Sequence, residues 1–172
     1  MSALLIALNV GSSSLKFAVA RANAPSTQIL SGAADRLGSD ASSLRFSASG
    51  GEATKKALPG AVHADALAEV AAAIATAFPD STVTSVGHRI VHGGADFLQP
   101  TKIDDAVLTA LEGLITLAPL HQPPGLKGIR TIAGLYPDAR QVACFDTAFH
   151  ASKPWVHEAI ALPERFYDMG LR

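Results

Sequence analysis

The sequence is poor in several features that define large classes of proteins. It has one cysteine among 172 residues, so no disulfide can form within the chain, and Cys144 is expected to be a buried structural thiol. A formal net charge of -1 gives no electrostatic reason to expect nucleic acid or an anionic membrane as a partner. No hydrophobic run reaches the length of a membrane span, and Met1-Ser2 lacks the basic flank of a secretion signal. We therefore expect a cytoplasmic protein.

The chain is instead rich in apolar residues, at 48% of the total against 17% charged, which is enough to bury one globular domain. Early hairpin signals are followed by strand–helix alternation, so we expect an α/β fold with a mixed sheet flanked by helices. The predicted strands cover residues 4–8, 15–19, 28–34, 43–48, 83–91 and 141–145. The predicted helices are one over residues 65–78, one that Asp104 caps, and one that begins at Pro123 and Pro124.

The most informative stretch, at residues 9–17, reads Asn-Val-Gly-Ser-Ser-Ser-Leu-Lys-Phe and joins the first two predicted strands. Gly11 lets backbone N–H groups approach an anion, the serine hydroxyls add donors, and Lys16 supplies a positive charge. A Walker-type loop would need Gly-Lys-Ser/Thr at the start of a helix, and neither feature is present. The pattern predicts a strand–turn–strand grip on phosphate, with an ordinary serine-rich hairpin turn as the alternative.

A second polar cluster, at residues 87–94, reads Gly-His-Arg-Ile-Val-His-Gly-Gly. Side chains alternate on a strand, so Arg89 and Val91 share one face and suit a small ligand with an anionic end and an apolar end. A surface salt bridge of Arg89 is the alternative. His88 and His92 lie four residues apart, which on a strand separates their α-carbons by about 13 Å, too far for one zinc ion without unusual reach.

Two further clusters complete the candidates. The link Leu-Ala-Pro-Leu-His-Gln-Pro-Pro at residues 117–124 carries His121, which either points into a cleft or caps the following helix; the residues alone favour the structural role. Asp146 follows the last predicted strand, where a carboxylate can hold a metal through water, orient an arginine, move a proton or cap the next turn. Ligand sites of open α/β sheets lie at the carboxyl ends of strands, so we expect the strand-end clusters to share one pocket.

Taken together, these motifs resemble the acetate kinase family, which includes propionate and butyrate kinases. The matching stretches occur in the family's order over almost the whole chain, at residues 8–17, 87–94, 117–124 and 145–150. Among the members of this family, the stretches resemble those of acetate kinases. The resemblance implies a ribonuclease-H-like domain of the sugar kinase, Hsp70 and actin superfamily, with three antiparallel strands followed by strand–helix units. That fold agrees with the α/β order predicted from the pattern.

The resemblance implies one group of residues for the nucleotide and its metal. Asn9 would help to hold Mg²⁺, and Lys16 would contact the phosphates of ATP. Gly11, Ser12 and Ser14 would shape the turn that binds those phosphates. The resemblance therefore makes ATP the expected co-substrate and Mg²⁺ the expected cofactor.

A second group is implied for the acceptor. Arg89 would bind the carboxylate or acyl phosphate. Val91 and Leu120 would surround the methyl group, with His121 in the same cleft. Asp146 is similar to the residue to which the family's proton transfer is usually assigned. A short carboxylic acid with a pKa of about 4 to 5 is already ionised at neutral pH, so positioning Arg89 or metal-bound water suits Asp146 better.

Two departures from the family bear on these expectations. Gln122 stands where the family usually has asparagine, which keeps the hydrogen-bonding chemistry and adds one methylene. The chain stops at Arg172, whereas family members run to more than twice this length. We therefore expect residues 1–172 to be an N-terminal, substrate-side domain, of which roughly the final 20 residues lead toward an absent C-terminal domain. The family is homodimeric, and its main dimer surface is expected to be absent here.

The leading hypothesis is a part of an acetate kinase, which transfers a phosphoryl group reversibly from ATP to acetate and gives acetyl phosphate and ADP. The chain alone is expected to be nearly inactive, because loss of one electrostatic stabiliser costs about 10²–10³ in rate and several would be missing. Three alternatives stay open: a non-catalytic module that binds phosphate or acyl phosphate, a fragment of a propionate or butyrate kinase, and a superfamily kinase with another acceptor. The last fits the hairpin turn but not Arg89 and Asp146.

Overall fold

The computed structural model describes residues 2–94, 96–150 and 161–168, and the strands among them form one eight-stranded sheet. The strands are β1 (Ser2–Val10), β2 (Ser14–Arg21), β3 (Ala24–Asp35), β4 (Ser43–Ala48), β5 (Thr54–Ala57), β6 (Ser81–Ile90), β7 (Thr101–Lys102) and β8 (Arg140–Phe145). The helices are α1 (His63–Ala77), α2 (Asp105–Gly113), α3 (Gln122–Leu135), α4 (Asp146–His150) and α5 (Glu164–Asp168), with a 3₁₀ turn at Ile115–Leu117.

The sheet has an antiparallel half and a parallel half that meet at β1. Its strand order is β5-β4-β3-β2-β1-β6-β8-β7. Strands β1 to β5 form an antiparallel meander, whereas β6 pairs in parallel with β1 and β8 pairs in parallel with β6. The short β7 adds an antiparallel edge beside β8. This order confirms the predicted mixed sheet with antiparallel strands first and strand–helix units after them.

The sequence pattern does not predict two of the strands. β5 reads Thr-Lys-Lys-Ala and is exposed at all four positions, so it has no apolar alternation to reveal it. β7 has only two residues. Together β4 and β5 extend the three antiparallel strands of the implied fold to five, at the outer edge of the sheet.

The core lies between one face of the sheet and the helices α1 and α3. Every second residue of β1 from Leu4 to Val10 is buried on that face, and α1 packs Leu67 and Ile74 against it. Helix α3 approaches so closely that a Cβ at Gly128 would lie 2.9 Å from a methyl carbon of Val10. The intervening residues of β1 and its neighbours point to the opposite side of the sheet, which we call the open face.

The helices begin close to where the sequence places them. Helix α1 begins at His63, two residues earlier than predicted. At α2 the carboxylate of Asp104 accepts a hydrogen bond from the N–H of Val107 at 2.9 Å, so the predicted cap is confirmed. Pro123 and Pro124 lie in the first turn of α3. Backbone N–H groups in the first turn have no partner within the helix, so proline, which lacks one, costs no helical hydrogen bond there. Among the described helices, none is long and apolar enough to cross a membrane.

The expectation that Cys144 is a buried thiol is wrong. Ala143 and Phe145 are buried on the helix-covered face of β8, so alternation places Cys144 on the open face, where it is exposed. The continuous apolar run at residues 142–145 indicated that the predicted strand at residues 141–145 is buried on both faces. Helices α2 and α3 cover only one of them.

Two glycine-to-alanine substitutions test the packing. At Gly32 of β3 a Cβ would lie 2.7 Å from Cβ of Phe46 and 2.8 Å from Cε1 of Phe17. Gly32→Ala is therefore expected to lower the free energy of unfolding by about 2 kcal/mol. Gly134, exposed inside α3, has no atom within 4 Å of its Cβ position, and Gly134→Ala is expected to raise that free energy by about 1 kcal/mol. Urea denaturation measures both, and equal effects would contradict this packing.

Candidate active site

Polar side chains from three adjacent strands form a row across the open face. Lys16 of β2 pairs with Asn9 of β1. The register that pairs Leu8 with His88 brings Asn9 beside Arg89, one residue further along both strands. Since neighbouring strands are about 4.8 Å apart, the α-carbons of Lys16 and Arg89 are separated by about 10 Å. A basic residue thus stands on each side of Asn9.

This polar row borders a groove of about 390 Å³ that all three of its side chains line. The floor beside them is formed by residues with little or no side chain, Ala7, Ala18 and Gly87. Ala7 pairs with Ala18 on one side and with Gly87 on the other, so the small residues form a second row parallel to the first. The low floor leaves the polar row accessible from solvent.

Arg89 is held by Asp146, the first residue of α4. Its Nε donates to Oδ1 at 2.9 Å and its Nη2 donates to Oδ2 at 2.7 Å, so the contact is bidentate. These hydrogen bonds and the charge of Asp146 raise the pKa of Arg89, which stays protonated. The contact uses one edge of the guanidinium. Its remaining three N–H groups make no hydrogen bond to the described residues.

The phosphate turn (residues 11–14) is tied to two distant parts of the chain. The N–H of Leu37 donates to the carbonyl of Ser13 at 2.9 Å, and Nε2 of His63 lies 2.7 Å from the carbonyl oxygen of Gly11. A carbonyl oxygen only accepts, so His63 carries a proton on Nε2 and donates it. Neither anchor is predicted from the sequence, because contacts over such separations leave no local pattern.

Leu120 and His121 lie apart from the groove. Both are exposed in the turn that precedes α3, Leu120 to 73%, and neither lines the groove beside Arg89. The His121 side chain makes no hydrogen bond that caps α3, so the capping alternative is not observed in this described segment. The contact of both residues with an acceptor stays a prediction.

Val91 and the serines of the phosphate turn lie nearer to the row. Val91 follows β6 and is half-buried, and the N–H of Gly93 beyond it donates to the Thr147 hydroxyl at 3.0 Å. Ser12 is exposed in the turn, and Ser14 begins β2. The structure thus brings the turn, the polar row and the start of α4 to the same end of the sheet. The chemical roles of these residues stay predictions.

His88 lies beneath the polar row, on the helix-covered face of β6. It is 2% exposed, and its Nε2 lies 2.7 Å from Oε1 of Gln141 on β8, to which it donates. Burial lowers the pKa of His88 from 6.5 to about 4, so the ring is neutral at pH 7. His92 accepts a hydrogen bond at Nδ1 from the N–H of Gly94 at 2.9 Å. One histidine therefore joins two strands, and the other shapes the loop after β6.

Gln122, the departure from the family pattern, is buried at the start of α3. Its Nε2 donates to the carbonyls of His92 at 3.2 Å and Leu111 at 3.4 Å, which joins α3 to the loop after β6 and to α2. Its buried Oε1 has no partner among the described residues. The amide donor expected at this position is thus present and used.

The described residues do not complete a site for a divalent cation. They contain no group of three or more His, Cys, Asp or Glu side chains that could hold one. Asn9 offers one neutral amide oxygen, and Arg89 engages both carboxylate oxygens of Asp146. Mg²⁺ prefers octahedral oxygen coordination and is usually bound through one or two carboxylates together with substrate phosphates. Asn9 can contribute to a magnesium ion only alongside ligands from elsewhere.

Comparison with solved structures gives the class of fold. The chain superposes with a TM-score of 0.84 on a propionate kinase from Francisella tularensis subsp. tularensis SCHU S4, at 29% identity over 98% of this chain and 43% of that one. An acetate kinase from Porphyromonas gingivalis also matches with a TM-score of 0.84, at 30% identity over 97% of this chain and 43% of that one. The fold is that of the actin, Hsp70 and sugar kinase superfamily.

Sequence comparison identifies the family within this superfamily. The model of the acetokinase family matches residues 4–172, and the chain belongs to that family. It is 40% identical to an acetate kinase of Methylocella silvestris, over 100% of this chain and 45% of that protein. It is 42% identical to an acetate kinase of Pseudomonas aeruginosa (strain LESB58), over 98% of this chain and 42% of that protein. The chain thus spans less than half the length of these relatives.

The buried histidine gives the chain a measurable acid sensitivity. Between pH 6.5 and about 4 the unfolded chain takes up a proton at His88 that the folded chain does not, so stability falls as the pH decreases through this window. The total loss is expected to be about 3 kcal/mol. His88→Gln, which does not titrate, should remove that part of the pH dependence of urea unfolding. The exposed His121→Gln should leave it unchanged; an equal change in both variants would contradict the assignment.

Proposed function

We propose that this chain supplies the acceptor-binding and phosphate-binding side of an acetate kinase, which transfers the γ-phosphoryl group of ATP reversibly to acetate. The observation that carries the proposal is the row of Lys16, Asn9 and Arg89, in which Asp146 fixes the arginine. Transfer from ATP to a carboxylate brings two anions together, and the row offers one cation to each. Membership of the acetokinase family supports the same assignment.

Arg89 is suited to the carboxylate of the acceptor. A guanidinium presents two edges that can make bidentate contacts with a carboxylate. Asp146 occupies the edge formed by Nε and Nη2, which fixes the plane of the guanidinium. The second edge, formed by Nη1 and the other N–H of Nη2, is left for substrate oxygens. Acetate would bind at this second edge. Val91 would pack against its methyl group, with Leu120 and His121 approaching from the link before α3.

Lys16 and the phosphate turn are suited to the γ-phosphate. Lys16 is exposed on β2 and makes no ion pair within the described residues, so its ammonium group is available to an anion. Backbone N–H groups of the turn and the hydroxyls of Ser12 and Ser14 can surround phosphate oxygens. A side chain at Gly11 would crowd this turn, because its Cβ would lie 3.0 Å from the Ser14 hydroxyl oxygen.

The transfer step requires alignment more than proton movement. A carboxylate oxygen attacks the γ-phosphorus in line, a new P–O bond forms, and the bond to the departing oxygen of ADP breaks. Acetate is already ionised at neutral pH, so no proton has to leave it. Asp146 would therefore act through Arg89, and the two cations would stabilise charge on the transferred group. Mg²⁺ is expected to accompany ATP, with Asn9 giving one oxygen to it.

We further propose that residues 1–172 are the substrate-side domain of a longer kinase. The chain covers 45% of the length of a related acetate kinase, so other parts of such a protein would supply the remaining contacts to the nucleotide. This chain by itself is expected to form acetyl phosphate at less than about one-hundredth of the rate of a full-length relative. A coupled acetyl phosphate assay measures that ratio.

Calorimetric titration of the 172-residue chain tests the proposed site. Saturable binding of acetyl phosphate is expected. Arg89→Ala is expected to weaken that binding about tenfold or more, because a hydrogen bond to a charged group contributes about 1.5–3 kcal/mol. Lys16→Ala should weaken the binding of inorganic phosphate more than that of acetate, since Lys16 lies on the phosphate side of the row.

Arg45 offers a matched control for Arg89. It is an exposed arginine of β4, and its pairing with Ala33, the partner of Lys16, places it on the same face. Four strand spacings, or about 19 Å, separate β4 from β6. Arg45→Ala should leave the affinity for acetyl phosphate within about twofold. Equal losses in the two arginine variants, or no saturable binding by the unsubstituted chain, would refute the proposed site.

A further inference from the structure

His63, the first residue of α1, contacts the phosphate turn from 52 residues away in sequence. Its Nε2 donates to the carbonyl of Gly11 at 2.7 Å, and the side chain is half-buried. The contact is a hydrogen bond to the backbone, so it acts on the conformation of the turn itself. Nothing in the function proposed above uses this histidine.

The hydrogen bond changes how the phosphate turn is closed. A four-residue turn is often closed by a bond from the N–H of its last residue to the carbonyl of its first. Here the N–H of Gly11 donates to the carbonyl of Ser14 at 2.8 Å, but the reverse bond between these two described residues is not formed. His63 takes the Gly11 carbonyl instead. The N–H of Ser14 therefore does not donate to the Gly11 carbonyl and is not used to close the turn.

The same bond sets the direction of the peptide between Gly11 and Ser12. The peptide is trans, so its C=O and N–H point in opposite directions. Helix α1 packs on the helix-covered face of the sheet, so His63 reaches the turn from that side. The N–H of Ser12 is consequently directed away from His63 and from the start of α1.

The loop after β3 is hydrogen-bonded both to the residues before α1 and to the phosphate turn. The N–H of Gly38 donates to the carbonyl of Ala61 at 2.8 Å, which joins the loop to the residues before α1. The N–H of Leu37 donates to the carbonyl of Ser13 at 2.9 Å, which joins the loop to the turn. The hydrogen bond from His63 joins α1 to the turn, so the loop after β3, the start of α1 and the turn are each bonded to the other two. Two carbonyls of the turn are thus held by groups outside it.

We propose that His63 is a positioning residue that orients the phosphate turn to bind the terminal phosphate of a nucleotide. The proposal rests on the phosphate-binding role given to this turn above. His63 does not touch the phosphate; it holds the Gly11 carbonyl toward α1, so that the N–H groups of Ser12 and Ser14 join Lys16 as donors. Donors that are oriented in advance bind an anion without first breaking a bond of the turn.

Three substitutions separate the donor from the bulk of the side chain. His63→Leu removes the donor and replaces the ring by an apolar side chain. His63→Gln places an amide N–H near the position of Nε2, and is expected to preserve the contact. His63→Asn has the same chemistry on a side chain one methylene shorter, so it does not reach the Gly11 carbonyl and serves as the matched control for glutamine.

The first measurement uses the 172-residue chain without ligand. In His63→Leu and His63→Asn the Gly11 carbonyl is free to accept from Ser14, so the turn closes in the ordinary way. Amide hydrogen exchange at Ser14, followed by NMR, is expected to slow about tenfold or more in these two variants. His63→Gln should resemble the unsubstituted chain. Unchanged exchange at Ser14 in all three variants would overturn the positioning role.

The second measurement is a titration with inorganic phosphate. The dissociation constant is expected to rise about tenfold or more in His63→Leu and His63→Asn, because one or two hydrogen bonds to an anion are lost. It should stay within about twofold in His63→Gln. Rescue by glutamine and not by asparagine supports orientation by a donor, because general destabilisation would affect both amide variants.

The two measurements distinguish two kinds of failure. Phosphate affinity that depends on Lys16 but not on His63 overturns the positioning role and leaves the proposed function standing. Ser14 exchange that responds to His63 in a chain with no affinity for phosphate overturns the phosphate-binding function, and with it the ligand assigned to the oriented turn. Only slowed exchange together with weakened, glutamine-rescued phosphate binding supports both.

Discussion

The two-residue period of a β-strand decides which side chains of this protein are buried and which are open to a ligand. Leu8 and His88 are neighbours on the helix-covered face of the sheet, and Asn9 and Arg89, one residue further on each strand, are neighbours on the open face. A slip of one residue between β1 and β2 would exchange the two faces, which would carry Lys16 toward the apolar core. The register that the core enforces is therefore the register that aligns the polar row.

The contact between Arg89 and Asp146 matters for orientation more than for stability. About half of the arginine side chain and a third of the aspartate side chain are exposed, and exposed ion pairs contribute about 0–1 kcal/mol. Its bidentate geometry, however, fixes the plane of a long and otherwise mobile side chain. The contact between His63 and the Gly11 carbonyl has the same character. Each contact uses directional hydrogen bonds, two at Arg89 and one at His63, to orient a donor that a ligand would need.

The local parts of this structure were predictable from the sequence, and the long-range parts were not. The Asp104 cap, the strand at residues 83–91 and the opposite faces of Arg89 and His88 each depend on patterns within a few residues. Cys144 was wrongly expected to be buried because the sequence does not show which face of β8 the helices cover. No pattern near Gly11 could have indicated its distant donor. The family resemblance supplied chemical roles that the residue pattern alone left open.

The groups that orient the site come from segments far apart in sequence. Fifty-seven residues separate Arg89 from Asp146 and 52 separate Gly11 from His63, and the intervening strands and helices hold each pair together. The oriented donors therefore exist only when the sheet, α1 and the β8–α4 junction are all formed. A ligand that binds them binds the folded chain alone and stabilises the whole domain by mass action. Ligand binding at these donors is therefore thermodynamically coupled to folding of the sheet.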